Sequence, residues 1–240
     1  MGKVKIFALP NAGGTAKLFQ NLKGILSDRG MELQELEYAR HGTRASEPGY
    51  SSFSEMADDM ADMIRKSTPT EDHMILFGYS MGALVTYDVF TRCFSDEERA
   101  RTDHLFLAAH EPPHIEFCGA RFADCDEATF IAGMQEMGGL DERLLRNPRF
   151  LKIFLSQIRG DYQLINGYSW NGKTQSLTVP TTVMYSEEDT PLTRMIQWKE
   201  YVVPPNTFRI EEFEGGHFFI RNAYERIADL LVESCSLPLP

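Results

Sequence analysis

The segment that most constrains the fold of this chain runs from residue 73 to residue 85 and reads HMILFGYSMGALV. An apolar stretch of strand length leads into Gly78-Tyr79-Ser80-Met81-Gly82, and helix-forming residues follow at once. This order predicts a nucleophile elbow, a tight strand-to-helix turn that exposes a serine at the carboxyl edge of a sheet. Glycine suits positions 78 and 82 because side chains there would collide with the neighbouring strand and helix. Ser80 is therefore the candidate nucleophile, and the amino end of the following helix would favour negative charge nearby. A glycine turn without a catalytic role is the alternative that the motif alone leaves open.

Strand-like and helix-like stretches alternate along most of the chain. This alternation predicts an α/β protein with a mostly parallel central sheet and helices on both faces. The chain has 240 residues, of which 42% are hydrophobic and 25% charged, and these values suit a single globular domain. The predicted strands span residues 4–9, 33–38, 74–77, 105–109, 179–185 and 208–213, and the predicted helices span residues 15–27, 53–66, 83–90 and 222–235.

The alternation breaks between about residues 117 and 170. Short helices are predicted there over residues 127–137, 141–145 and 150–166, with Gly138-Gly139 and Asn147-Pro148 as breaks. Helices inserted between two strands predict a lid over the carboxyl edge of the sheet; an ordinary crossover, which needs only one helix, is the alternative. The apolar side chains of the insertion are expected mostly to pack the lid, with some lining an acyl pocket: Phe130, Met134, Met137, Leu144, Phe150, Phe154 and Ile158.

A serine at an elbow needs a base and an acid, and in α/β-hydrolases the acid and then the histidine follow the serine along the chain. Of the six histidines, only His217 follows a late predicted strand, so it is the candidate base. The loop after the preceding strand contains three consecutive acids at residues 187–189. Asp189 is the candidate acid because Asp-x-Pro sets a turn into the next helix, and Glu188 is the alternative. The acid would hold the imidazole in its reactive tautomer.

Charge that develops on a substrate carbonyl needs backbone N–H donors. One candidate donor is the N–H of Met81, directly after the nucleophile. The other is expected in the loop at residues 10–15 after the first strand, where Gly13-Gly14 would keep N–H groups exposed. A phosphate-binding loop is a weaker interpretation of these glycines, because no Gly-Lys-Ser/Thr follows them.

These motifs resemble those of type II thioesterases, the stand-alone editing hydrolases of nonribosomal peptide and polyketide synthases. Medium-chain fatty-acid-releasing thioesterases belong to the same group. The matching features occur in the same order over nearly the whole chain: Pro-x-Ala-Gly-Gly at 10–14, Gly-x-Ser-Met-Gly at 78–82, Pro-Pro-His-Ile at 112–115, Gly-Gly at 138–139, Asp161-Tyr162, Glu188-Asp189 and Gly-Gly-His-Phe-Phe at 215–219. The chain departs from the family pattern at Tyr79, where histidine is common, at Asn11, where an aromatic residue is common, and at residues 40–43, where Arg-His-Gly-Thr replaces Pro-Gly-Arg or Pro-Gly-His.

The resemblance implies an α/β-hydrolase fold with Ser80, Asp189 and His217 as the catalytic triad and the N–H groups of Ala12 and Met81 as the oxyanion hole. It implies hydrolysis of acyl or aminoacyl thioesters from the phosphopantetheine arm of acyl- or peptidyl-carrier proteins in secondary-metabolite biosynthesis. No cofactor or metal is expected on the chain itself, since the arm belongs to the carrier. The alternatives are a medium-chain fatty-acyl carrier thioesterase, an esterase for small esters, and a catalytically silent binding protein on the same scaffold.

The charge and the remaining composition limit which classes of partner are expected. A net charge of −11 argues against nucleic acid and anionic membranes. The apolar run at residues 4–9 is too short for a signal peptide or a membrane span. The cysteines at 93, 118, 125 and 235 lack metal-like spacing and are typical of free thiols in a reducing compartment. A cytoplasmic protein is therefore expected, and a monomer is the expected oligomeric state. Carrier proteins are usually acidic, so docking is expected to use apolar contacts or local basic sites; the candidate cations are Lys17, Arg40, Arg44, Arg121, Arg143 and Arg159.

Overall fold

A parallel sheet forms the centre of the molecule. The computed structural model of the chain describes residues 3–70, 72–115, 124–140, 146–170 and 175–236. Within these ranges the strands are β1 (Val4–Leu9), β2 (Glu32–Glu35), β3 (His73–Tyr79), β4 (Thr102–Ala108), β5 (Thr181–Tyr185) and β6 (Phe208–Glu212). Their order across the sheet is β2-β1-β3-β4-β5-β6, and every neighbouring pair is parallel. The order reverses beside β1 and β3, and open α/β sheets bind ligands at the carboxyl ends of the strands at such a reversal.

Helices cover both faces of this sheet. In the described residues they are α1 (Gln20–Asp28), α2 (Phe53–Ser67), α3 (Met81–Asp88), α4 (Asp96–Ala100), α5 (Glu127–Glu136), α6 (Pro148–Asn166), α7 (Leu192–Met195) and α8 (Tyr224–Ser236). Short 3₁₀ segments lie at Ala16–Phe19, Gly42–Arg44, Ile196–Tyr201, Pro205–Thr207 and Phe219–Asn222, and a π-helical turn at Val89–Cys93 extends α3. Over the same described ranges, none of the helices has both the length and the apolar character that a bilayer crossing requires.

The two faces of the sheet pack into two cores, because successive side chains of a strand point in opposite directions. On β1, Phe7 and Leu9 belong to a core shared with α2, α3 and the inserted helices α5 and α6. Ile6 and Ala8 belong to a second core that α1 and α8 close. Helix α3 is buried along its whole length, so the element that follows Ser80 is fixed on all sides.

The predicted α/β-hydrolase architecture is confirmed. Strand β1 has the predicted bounds, but β2 ends at Glu35 rather than at residue 38. The N–H of Leu36 makes a last bond to the carbonyl oxygen of Ala8 (2.9 Å), and the chain then leaves the sheet. It does so because the hydroxyl of Tyr38 donates to the carbonyl oxygen of Pro10 (3.1 Å), which ties this segment to the loop after β1.

Other boundaries differ for local reasons. The predicted helix over residues 15–27 is divided into a 3₁₀ segment and α1, because the side chain of Thr15 accepts from the N–H of Lys17 and caps a tighter first turn. Helix α3 begins at Met81, two residues before its predicted start at 83. Strand β4 begins at Thr102 rather than at 105, because His104 is buried in the sheet although it is polar.

Two of the predicted inserted helices, α5 and α6, lie between β4 and β5. The predicted helix over residues 141–145, the start of the insertion at 117–123 and the terminal residues 237–240 lie outside the described residues. Cys93, Cys125 and Cys235 carry free thiols, and Cys118 falls outside the described ranges.

Candidate active site

Ser80 lies in the tight turn between β3 and α3, at the carboxyl edge of the sheet. Its backbone has φ 55° and ψ −120°, a conformation that residues other than glycine rarely adopt. Its N–H donates to the carbonyl oxygen of Ala108 on β4 (2.7 Å). A Cβ on Gly78 would lie 2.2 Å from the carbonyl oxygen of Gly82, and a Cβ on Gly82 would lie 2.1 Å from that of Leu9. The turn therefore has the geometry of a nucleophile elbow, and both glycines are required by close backbone approach.

The structure brings the three candidate triad residues together. Nε2 of His217 lies 3.0 Å from Oγ of Ser80, although the two residues are 137 positions apart in the sequence. Nδ1 of the same ring lies 2.9 Å from Oδ2 and 3.0 Å from Oδ1 of Asp189. The carboxylate can therefore hold Nδ1 in its protonated form and leave Nε2 free to accept the hydroxyl proton of Ser80. The alternative acid, Glu188, lines the neighbouring cavity and is not the residue that contacts the ring.

Side chains outside the triad hold the histidine loop in place. The hydroxyl of Tyr79, buried beneath the elbow, donates to the carbonyl oxygen of His217 (2.7 Å). The hydroxyl of Ser186, on the loop that carries the acid, donates to the carbonyl oxygen of Gly215. Sequence reasoning missed both contacts. The signal for Tyr79 was its departure from the family pattern, whereas nothing in the sequence singles out Ser186.

Another histidine, His110, is buried near the candidate triad and is uncharged. Burial lowers the pKa of His110, and this effect outweighs the charge of Glu111 and the carbonyl oxygen of Glu111 that accepts from its Nδ1–H (2.7 Å). His110 is therefore neutral at neutral pH. Proton transfer from Ser80 to His217 is then not opposed by a neighbouring imidazolium.

The loop at residues 10–15 lies beside the start of α3 and shares a cavity with Ser80. The carbonyl oxygens of Leu9 and Pro10 approach the start of α3, since the Pro10 oxygen would lie 2.9 Å from a Cβ on Gly82. Ala12 and Ser80 line the same cavity. Within the described ranges, the N–H groups of Ala12 and Met81 donate to no protein acceptor. Ala12 and Met81 therefore remain the candidate oxyanion donors.

Two cavities meet at the candidate triad. One, of about 740 Å³, has a charged wall that includes Glu111, Glu136, Glu188 and Arg194. The other, of about 550 Å³, is lined by residues 11–15 of the loop after β1 and, from the inserted helices, by the apolar side chains of Met134, Phe154 and Ile158. Both are lined by a shared set of residues at their junction: Ser80, Met137, Tyr162, His217, Phe218 and Arg221. A substrate whose reacting carbonyl is at Ser80 therefore has room on either side of it.

The inserted helices supply much of this lining, but not through every predicted side chain. Met134, Met137, Phe154 and Ile158 line the cavities, while Phe130 is buried in packing. The prediction for Phe150 is wrong, because its side chain is 62% exposed on the outside of α6. Leu144 lies outside the described residues.

The predicted docking cations have different environments. Arg44 is bonded to Glu47 (2.6 Å) and Asp59 (2.7 Å), so its charge is already compensated. Arg159 packs inside the insertion, with its guanidinium 4.4 Å from the ring centre of Phe130. Lys17 lines the cavity of about 550 Å³, and Arg40 is exposed. Arg121 and Arg143 lie outside the described residues.

Comparison with known proteins identifies the family. The model of the thioesterase domain matches residues 4–235. The thioesterase PikA5 of Streptomyces venezuelae is 25% identical over 230 residues, which cover 94% of this chain and 79% of PikA5. The probable anguibactin biosynthesis thioesterase AngT of Vibrio anguillarum is 26% identical over 217 residues, covering 88% and 83% of the two chains. The crystal structure of ClbQ from the colibactin NRPS/PKS pathway has the same fold, with a TM-score of 0.85, 21% identity and coverage of 98% and 97%. The chain belongs to the thioesterase family.

Proposed function

We propose that this chain hydrolyses acyl and aminoacyl thioesters on the phosphopantetheine arms of carrier proteins, and so clears stalled groups from nonribosomal peptide or polyketide synthases. The observation that carries the proposal is the hydrogen-bonded series Ser80, His217 and Asp189 at the junction of two cavities, in a chain of the thioesterase family. The likeness to AngT, which is named for anguibactin biosynthesis, supports the assignment to secondary metabolism.

In the first half-reaction Ser80 attacks the thioester carbonyl. His217 accepts the hydroxyl proton at Nε2, and Asp189 stabilises the imidazolium without being protonated itself. The oxyanion is bound by the N–H groups of Ala12 and Met81, and the amino end of α3 favours the same negative charge. The carbon–sulfur bond then breaks, and the proton on His217 passes to the departing thiolate of the carrier.

In the second half-reaction the acyl group leaves Ser80. His217 removes a proton from a water molecule, the resulting hydroxide attacks the acyl-serine carbonyl, and the same donors bind the second oxyanion. The proton returns from His217 to Oγ of Ser80, and the carboxylic acid is released. All the proton transfers use side chains of this chain, so we propose that the reaction needs no cofactor beyond the arm that the substrate brings.

Each cavity offers side chains that suit one half of the proposed substrate. The amide-rich pantetheine arm matches the charged wall that includes Glu111, Glu188 and Arg194. The acyl group matches the apolar side chains of Met134, Phe154 and Ile158, which form the part of the other cavity's wall that comes from the inserted helices. Methionine adapts to varied shapes, so this wall suits an enzyme that accepts many short acyl groups.

The test compares carrier-bound thioesters with soluble esters. A carrier protein is loaded with acetyl, longer acyl or aminoacyl groups, incubated with the wild-type chain or with Ser80→Ala, and weighed by mass spectrometry. The editing role predicts loss of acetyl and aminoacyl groups in the presence of the wild-type chain only. Exclusive hydrolysis of medium-length acyl chains would favour the fatty-acyl thioesterase, and a preference for soluble p-nitrophenyl esters would favour the esterase; either result contradicts the editing role.

A further inference from the structure

A buried carboxylate on the inserted helix α6 is bonded directly to the loop at residues 10–15. The N–H of Gly13 donates to Oδ2 of Asp161 (2.6 Å), and Nε2 of His41 lies 2.9 Å from the same oxygen. Asp161 is 4% exposed and His41 is 3% exposed. A charge removed from water to this degree is costly unless it is paired and hydrogen-bonded, so the carboxylate depends on both partners.

The partners of His41 determine its charge. Its Nδ1 lies 2.9 Å from the carbonyl oxygen of Ala39, which can only accept, and its Nε2 faces the carboxylate of Asp161. Both ring nitrogens can donate only in the imidazolium form. Burial lowers the pKa of His41, but the hydrogen bond and charge of Asp161, the carbonyl of Ala39 and the charge of Glu37 together raise it above its ordinary value. The hydrogen-bond geometry of the ring and the raised pKa of His41 agree, since both favour an imidazolium that donates to Asp161.

Further contacts make the same three segments one bonded unit. The side-chain amide of Gln157, one turn before Asp161 on α6, donates to the carbonyl oxygen of Arg40. Ile158 packs so closely against Gly13 that a Cβ on that glycine would lie 2.8 Å from the Cβ of Ile158. The hydroxyl of Tyr38 donates to the carbonyl oxygen of Pro10 (3.1 Å). The inserted helix, the segment after β2 and the loop after β1 thus hold one another.

The glycines of the loop at residues 10–15 would allow it to move if the contact with Asp161 did not hold it. Gly13 has φ 67°, in the left-handed region, and Gly13-Gly14 gives the loop many other accessible conformations. The N–H of Gly13 is used by Asp161, while the N–H of Ala12, one peptide earlier, is the proposed oxyanion donor. A displacement of about 1 Å at a reacting group can cost about 100-fold in rate.

We propose that Asp161, held by His41, is a positioning residue that clamps Gly13 and thereby places the N–H of Ala12 beside Ser80, so that the oxyanion hole is complete only while α6 is docked. The inference rests on the proposed serine chemistry and is independent of which acyl carrier is the substrate. It predicts that loss of the clamp impairs the transition state more than substrate binding.

The test uses Asp161→Asn, His41→Gln and the double variant, with hydrolysis of a p-nitrophenyl ester as the reaction. Asp161→Asn should lower kcat by about 10- to 100-fold with KM changed by less than about twofold. Affinity for a trifluoromethyl ketone, whose adduct with Ser80 carries an oxyanion, should fall by a similar factor. The double variant should be little worse than Asp161→Asn, because both changes break one unit. The matched control is Asp88→Asn, which alters another buried carboxylate, bonded to Arg92 and outside both active-site cavities.

Circular dichroism at the assay temperature separates this role from a loss of folding, and His41→Gln provides the same test if Asp161→Asn does not fold. A kcat within twofold of the wild type in a folded variant would overturn the inference. So would a loss of kcat with unchanged affinity for the ketone. Failure of the wild-type chain to act on carriers would overturn the editing role instead, because the ester comparison does not involve a carrier.

Discussion

Ser80 is held in a strained backbone conformation by its neighbours. A positive φ at a residue that is not glycine costs about 1–3 kcal/mol and persists only where the surroundings impose it. Here the N–H bond to Ala108 and the close approach of Gly78 and Gly82 impose it. The consequence is that the hydroxyl lies at the end of β3 within reach of His217, in front of the amino end of α3.

The acid of the triad can be tested against its neighbour in the sequence. Asp189→Asn should lower kcat by about 10⁴-fold, because an amide no longer selects the tautomer of His217 that accepts at Nε2. Glu188→Gln is the matched control, since Glu188 lines the cavity beside Asp189 and should change kcat by less than about tenfold. Steady-state kinetics on an acyl thioester measures both. Equal losses in the two variants would contradict the assignment.

At the scale of single residues, the sequence motifs were enough to predict the candidate triad, because its members occupy fixed places after successive strands. Ser80, Asp189 and His217 were all singled out by that order, and the structure brings all three together. The contact between His41 and Asp161 could not be found in this way. Both residues lie in segments that the comparison with the family pattern singled out, but they are 120 positions apart, and only the packing of α6 against the segment after β2 shows that they are bonded.

At the scale of elements, the packing of α3 against β1 depends on the absence of a side chain at Gly82. Gly82→Ala should destabilise the fold by about 3 kcal/mol or more, because the new Cβ would lie 2.1 Å from the carbonyl oxygen of Leu9 and the backbone must move. Gly24→Ala, on the exposed side of α1 with no atom within 4 Å of the new Cβ, should stabilise it by about 0.5–1 kcal/mol. Urea denaturation compares the two. A Gly82→Ala variant as stable as the wild type would refute this account of the elbow.

His104, a buried histidine on β4 that is bonded to β5, should make the free energy of unfolding depend on pH. Burial, with a smaller contribution from the charge of Arg209, lowers the pKa of His104 to about 4, and its Nε2 lies 2.8 Å from Oγ1 of Thr182. The unfolded chain binds the proton near pH 6.5, so this contribution to stability is complete above that pH and is lost as the pH falls toward 4. The loss should reach about 3 kcal/mol at pH 4.

His104→Gln removes this titration while keeping a polar side chain. Denaturant unfolding at a series of pH values from 4 to 7 should show a shallower pH dependence in the variant than in the wild type. Parallel curves for the two proteins would show that His104 is protonated to the same extent in the folded and unfolded states.

The predicted elements were most accurate where a strand or helix has a local stop signal. Strand β1 ends before Pro10 as predicted, since proline and the following turn interrupt the apolar run. Strand β4 starts earlier than predicted because Thr102 and His104 form hydrogen bonds inside the fold. A polar residue in a sequence gives no sign of whether it will have such a partner. The 3₁₀ segment at Ala16–Phe19 was predicted as α-helix, because apolar periodicity does not separate the two.

At the scale of the whole molecule, the loops after β1, β3, β5 and β6 converge at one edge of the sheet, and α5 and α6 lie against that edge. The order of the strands accounts for this convergence, because parallel strands share their carboxyl edge and reverse order beside β1 and β3. The sequence predicted this arrangement from the alternation of elements. It did not predict which inserted side chains line the cavities, since that depends on how the helices pack.

The net charge of −11 would repel an acidic carrier protein, so docking of such a carrier should depend on the few cations near the cavities. Lys17 lines the cavity that contains the loop after β1. Lys17→Glu should raise KM for a carrier-bound thioester by about 3- to 10-fold and leave KM for a soluble ester unchanged, because only the carrier presents an extended acidic surface. Lys66→Glu is the control, at the exposed end of α2 that precedes β3 at the opposite edge of the sheet. Equal effects of the two substitutions would exclude a local role for Lys17.

The most direct test is to trap the acyl-enzyme. The chain is mixed rapidly with an acyl-carrier thioester, quenched in acid, and examined by intact-mass and peptide mass spectrometry. The account predicts an adduct of the acyl mass on Ser80, present in the wild type and absent in Ser80→Ala, which should also lose hydrolysis by about 10⁴-fold or more. Hydrolysis at an undiminished rate by Ser80→Ala, or an adduct on another residue, would contradict it.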